Sequence, residues 1–201
     1  NGLRCIFQSS QGHLWLGGDL GVTKIEIQDQ DKIQFSPYIY GNNVANYFHI
    51  NQIIEGPNNK LWFGTNFGLF HIQNDELQPY PLNVEFEEEL YLADCLSASN
   101  GLIYLTTSQN GLLECRFNNQ HTLEVISTLN TETGLSTNTF LDMIQTEGGQ
   151  IWAAGYNEIC LIRDIENSHF KGPICFNKNN GFGLESYASI KMIEDSNGHV
   201  W

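Results

Sequence analysis

Six histidines, 23 carboxylates and five cysteines are the side chains with the widest chemical reach in this sequence, and their spacing limits what they can do. They form no His-Glu-x-x-His zinc helix, no Gly-x-Ser-x-Gly nucleophile turn and no phosphate loop ending in Gly-Lys-Ser/Thr. His13 and His199 each stand two places before a tryptophan, so they read as one repeated surface position and not as a ligand pair. Asp195-Ser196-Asn197-Gly198 has the opening of a calcium loop without its later oxygen ligands, and reads as a hairpin turn. Glu85, Glu87, Glu88 and Glu89 form the densest charge run, expected to be a solvated loop. Carboxylates from separate repeats could in principle meet as the acid and base of a glycosidase. No coherent polar signature points that way, so the expectation is no catalytic residue, no cofactor and no metal.

Cys5, Cys95, Cys115, Cys160 and Cys175 show no Cys-x-x-Cys spacing, and an odd number cannot pair fully within one chain. Each lies in or beside an apolar run, which predicts buried free thiols and no disulfide framework. The best binding chemistry lies between Ser36 and Tyr47. Tyr38, Tyr40, Asn42, Asn43, Asn46 and Tyr47 combine flat rings bearing hydroxyls with paired amide donors and acceptors. Such a set suits a neutral polar ligand. The competing role for the same residues is ordinary turn formation and packing. Arg4, Arg116 and Arg163 could meet an anionic sugar but are scattered.

The elements that must position these residues come from a repeat. Trp15, Trp62, Tyr104, Trp152 and Trp201 are structural anchors spaced by 47, 42, 48 and 49 residues. Upstream of each lies a short apolar run, such as Cys5-Ile6-Phe7 or Leu141-Asp142-Met143-Ile144. A polar turn rich in Asn and Gly follows, and downstream comes a strand such as Gly68-Leu69-Phe70-His71-Ile72. A fainter fourth strand is visible at Lys32-Ile33-Gln34-Phe35 and Thr122-Leu123-Glu124-Val125-Ile126. Four short strands per unit at this period predict an all-β fold, a β-propeller of four-stranded antiparallel blades. The whole of 1–201 is read as one propeller segment, with repeats at 1–48, 49–90, 91–136 and 137–184 and a truncated one at 185–201. A fragment of a seven-bladed propeller is expected. The aromatic anchor fills the wedge between blades.

Composition narrows the partners. Nine basic against 23 acidic residues give a formal charge of −14 and a pI near 4.6, which disfavours nucleic acid and anionic membranes. No apolar run approaches the length that spans a bilayer, and no signal-peptide pattern is present.

Gly134-Leu135-Ser136-Thr137-Asn138, leading into Gly149-Gln150-Ile151-Trp152, resembles the blade motif of the two-component regulator propeller family. Leu61-Trp62-Phe63-Gly64-Thr65-Asn66-Phe67-Gly68-Leu69 is similar to its second half. Gly183-Leu184 through Trp201 fits as well, with Glu185-Ser186-Tyr187 in place of the usual polar turn. Tyr104 with Thr106-Thr107, and the missing Gly-Leu pair of the fourth copy, depart from the pattern. The resemblance implies a periplasmic, non-catalytic sensor region of a Bacteroidetes hybrid histidine kinase that responds to a glycan fragment. It also implies further blades, an immunoglobulin-like domain, a membrane helix and a kinase in the same polypeptide, with a homodimer as a further partner. The alternatives are a propeller-fold polysaccharide lyase or glycoside hydrolase, and a protein-interaction scaffold.

Overall fold

The computed structural model describes residues 2–28, 32–41, 48–86, 89–120, 122–162, 173–182 and 190–201. Among them, blade 1 is β1 (Leu3–Gln8), β2 (Leu14–Gly18), β3 (Gly21–Gln28) and β4 (Lys32–Ile39). Blade 2 is β5 (Ile50–Glu55), β6 (Leu61–Thr65), β7 (Gly68–Gln73) and β8 (Glu76–Pro79). Blade 3 is β9 (Leu92–Ser97), β10 (Ile103–Thr107), β11 (Leu112–Phe117) and β12 (Leu123–Leu129). Blade 4 is β13 (Phe140–Gln145), β14 (Ile151–Gly155), β15 (Glu158–Ile162) and β16 (Ile174–Asn177). Each is a four-stranded sheet in sequence order, and the described strand pairs are antiparallel: the blade of a β-propeller. A bridge between Glu194 and Val200 begins a fifth hairpin. No described helix is long and apolar enough to cross a membrane.

The fourth strands are longer than the sequence pattern suggests. β4 runs through Ile39, so Tyr38 belongs to a strand and not to the loop that follows. The turn before each anchor explains itself locally. Gly12, Gly101, Gly149 and Gly198 occupy one repeat position with φ of 80° to 83°, and Asn59 holds it in blade 2 at 58°. Glycine or asparagine is what a left-handed turn residue requires.

The chain divides into two compact units, one of 1–82 with 87–92 and the other of 83–86 with 93–201. In the first, Trp15, Val22, Phe48, Ile50, Ile53, Leu61, Phe63, Phe70 and Leu77 form the core. A Cβ on Gly17 would lie 2.4 Å from Cys5 Sγ and 2.6 Å from Ile50, so only glycine lets the two blades approach this closely. Ser10 closes the contact by donating its N–H and hydroxyl to the Glu55 carboxylate, at 2.7 and 2.8 Å.

The second unit repeats that latch. The Ser99 N–H donates to Gln145 at 2.8 Å, and the Glu147 N–H donates to Glu194 at 2.7 Å. Its core joins Tyr104, Leu112, Leu129 and Leu135 to Phe140, Met143, Ile151, Ala153 and Ile162. Glu158, 2% exposed, accepts from the N–H groups of Ser136 and Thr137 and from the Ser136 hydroxyl. That contact gives the Gly-Leu-Ser-Thr-Asn segment a structural purpose.

The cysteines need a correction. Cys95 and Cys115 are buried thiols outside any disulfide, and burial pushes the Cys115 thiol far above its usual range. Cys5 is half-buried and outside any disulfide. Cys160 and Cys175, however, form a disulfide. They face each other across β15 and β16 with Cα atoms 4.1 Å apart, a pairing set by strand register and invisible in linear spacing.

Candidate functional site

Two arrangements bring polar chemistry together, one in each unit. In the first unit, the aromatic face of blade 1 meets the start of blade 2 around a cavity of about 260 Å³. Tyr38 and Trp15 form one wall, with ring centroids 5.8 Å apart. Leu61 and Ile72 close the other side, and Lys24, Lys60, His13, Gln11 and Asn59 line the remainder. β3 and β4 pair Val22 with Tyr38 and Lys24 with Ser36, so strand alternation puts the Lys24 and Tyr38 side chains on one face. Lys24 donates to Glu26 at 2.8 Å, and His13 Nε2 lies 3.3 Å from the same carboxylate. The Lys24 ammonium beside Glu26 lowers the Glu26 pKa. Lys60 Nζ sits 5.2 Å from the Trp62 ring centroid and 5.6 Å from that of Tyr80. Among the described residues, no carboxylate lies within ion-pair distance of Lys60.

Of the residues chosen from sequence, Tyr38 lines this cavity. Tyr40 instead packs its ring 4.9 Å from both Phe48 and Phe70. Asn42, Asn43, Asn46 and Tyr47 lie outside the described residues. Among the anchors, Trp15, Trp62 and Tyr104 are buried, Trp152 is half-buried and Trp201 is 71% exposed. Trp201 donates its indole N–H to Asp195. N–H groups of His199, Trp201 and Asn197 hold the Asp195 carboxyl at about 2.

In the second unit, Asp94 and Asp142 hold equivalent places on β9 and β13, each 2% exposed. Asp94 accepts the N–H groups of Cys95 at 2.9 Å and Met143 at 3.0 Å. Asp142 accepts the Met192 N–H at 2.5 Å. Lys191, at the same place in the next repeat, reaches Asp142 at 2.5 Å and Asp94 at 3.9 Å. The acids therefore staple successive inner strands through backbone N–H groups, with one ammonium across both. Sequence reasoning passed over these residues because each is a single polar position within an apolar run. The available signal was one register position carrying Asp, Asp and Lys in three successive repeats.

Glu158, Cys160 and Cys175 also cluster, but the two sulfurs are bonded to each other and Glu158 is held by Ser136 and Thr137. That set is a structural staple. A wider groove of about 870 Å³ lies beside Trp152 and Phe176, lined by Glu147 and Glu194 and by no lysine or arginine among the described residues.

No protein-family model matches the chain. Histidine kinase P4 of Formosa agariphila is 36% identical over 72 residues, covering 34% of this chain and 5% of that protein. Among solved structures, the extracellular domain described as that of the hybrid two-component system BT4673 from B. thetaiotaomicron superposes over 100% of this chain. It does so with a TM-score of 0.74 at 16% identity, and 28% of that domain is covered. Virginiamycin B lyase from Staphylococcus aureus matches over 87% of this chain and 55% of its own, with a TM-score of 0.58 and 18% identity. The chain thus spans well under two thirds of the proteins it matches. What these likenesses establish is the fold: the described residues are built as β-propeller blades of the kind found in the extracellular domain of BT4673.

Proposed function

We infer that the chain is a ligand-sensing segment of an extracytoplasmic two-component receptor, non-catalytic in itself and responsive to an oligosaccharide. The observation that carries this reading is the 72-residue stretch shared with a histidine kinase at 36% identity. The disulfide supports a periplasmic placement, since such bonds persist in oxidising compartments. Within this reading Tyr38 contacts the ligand, Tyr40 braces the end of β4, and Asn42, Asn43, Asn46 and Tyr47 supply further polar contacts. Signal transmission, the membrane helix and the kinase belong to other parts of the same polypeptide, and a homodimer is the working assembly.

An array of plant and microbial oligosaccharides, probed with the 201-residue chain and followed by mass spectrometry of the bound material, tests this. Saturable binding with unchanged ligand mass is expected. Cleaved product would instead support the lyase or hydrolase reading. That reading needs an acid and a base with oxygens free for substrate, whereas Asp94 and Asp142 turn theirs to backbone N–H groups.

A further inference from the structure

We propose that the face of blade 1 turned away from blade 2 is a docking surface for a second copy of this chain, which seats its 193–201 hairpin there. This contact goes beyond ligand sensing and rests on the homodimer inferred above.

Strand register identifies the face. Leu3, Ile6, Ile27, Ile33, Phe35 and Ile39 are 55 to 79% exposed. Ile6 pairs with Leu16, Leu14 with Ile25, Ile25 with Phe35 and Ile27 with Ile33, so strand alternation puts these side chains on one side of the sheet. Trp15 and Val22 leave from the other side, into the core shared with blade 2. In β2, β3 and β4 the exposed side carries no ionisable residue. An apolar sheet face of this extent marks an interaction surface.

The chain shows twice what covers such a face. Blade 2 turns the equivalent one toward blade 1, with Ile53, Glu55, Leu61 and Phe63 at the places of Ile6, Gln8, Leu14 and Leu16. Phe7 and Trp15 pack into that joint, the Trp15 ring centroid 6.2 Å from that of Phe63, and the Ser10 N–H donates to Glu55. Blade 4 offers its own Met143, Ile151 and Ala153 to Tyr104 of blade 3.

The matching surface is also present and uncovered. Ile193 and Trp201 exchange backbone hydrogen bonds as a pair, at the places of Phe7 and Trp15, and their side chains are 63 and 71% exposed. The Ser196 N–H stands where Ser10 stands, and Gln8, at the place of Glu55, has an amide oxygen to accept it. Seated on a second copy, the hairpin repeats the joint of blades 1 and 2, with Trp201 over Leu16 and Ser196 latched to Gln8. The two surfaces differ, so the contact runs head to tail. Each copy carries a charge of −14, so apolar burial must drive the association and salt must strengthen it by screening the repulsion.

Sedimentation velocity of the 201-residue chain at rising concentration tests this. A mass above the 22.8 kDa of one chain is expected, increasing with concentration and with salt. Ile6→Lys on the receiving face and Trp201→Ser on the hairpin are each expected to weaken association by at least about tenfold. Both positions are exposed, and circular dichroism checks that the variants fold. The two variants are then mixed. Ile6→Lys keeps an intact hairpin and Trp201→Ser an intact face, so an equimolar mixture is expected to form dimers that neither variant forms alone. Association that survives either substitution, or folded variants that stay monomeric when mixed, overturns the contact and leaves the homodimer to another surface. A chain that is monomeric at every concentration overturns contact and homodimer together and leaves a further blade as the cover. Ligand sensing is judged separately, on the oligosaccharide array.

Discussion

The two units are built on the same blade and held together by different chemistry. In the first, the blades join through aromatic rings: Tyr40, Phe48 and Phe70 lie within 5.0 Å of one another, and Trp15 packs on Tyr38 and Phe63. In the second, aliphatic packing is reinforced by buried Asp94 and Asp142, by Glu158 on the Ser136 segment and by a disulfide. Both keep the same latch, a turn N–H given to a Glu or Gln of the next blade. The contrast teaches that the repeat fixes backbone and register, while the joint between blades is free to be apolar or polar.

The comparison breaks first at its most buried points. Phe70→Ala removes a ring that is 1% exposed and is expected to cost about 4 kcal/mol in chemical unfolding, with little dependence on salt. Asp142→Ala strips the acceptor from the Met192 N–H and leaves Lys191 without its nearer partner; about 3 kcal/mol is expected. Equal losses at low and high salt for both variants would erase the distinction between the two kinds of joint. Reducing the Cys160–Cys175 bond, which closes a 15-residue separation, is expected to cost about 2 to 3 kcal/mol. Intact-mass analysis after alkylation of the unfolded, unreduced protein should find three reactive thiols.

The smallest effect is a gain. Asp195 holds the Trp201 indole N–H, whereas Ser9 stands at the equivalent turn position and the buried Trp15 indole N–H has no partner. Ser9→Asp, placed in the cavity that Lys24 also lines, is expected to add about 0.5 to 1 kcal/mol, read as a raised Tm. A lowered Tm would show that the two turns are not interchangeable.

Much of the blade was legible because it is written locally. A glycine or asparagine with positive φ before each anchor, and alternation along each strand, set the hairpins whatever lies around them. The aromatic anchors follow the same logic, and Trp62 and Tyr104 are buried as wedge residues should be. What was not legible depends on residues a full repeat away. Asp94 meets Met143 and Asp142 meets Met192 across 49 and 50 positions, so neither acid declares its role within its own run. The disulfide required the register of β15 against β16. Tyr38 lies in a strand and not in the loop that the sequence suggests, and it reaches the cavity from there, with Lys24 beside it on the neighbouring strand.

We propose that this chain recognises a saccharide without cutting it. The most direct test is a calorimetric titration of the intact 201-residue chain with oligosaccharides selected on the array, with the ligand recovered and weighed by mass spectrometry. The account predicts a saturable heat of binding, a ligand of unchanged mass, and weaker binding in a Tyr38→Ala variant that still folds. Ligand recovered in shortened form, or no heat with any saccharide, would contradict it.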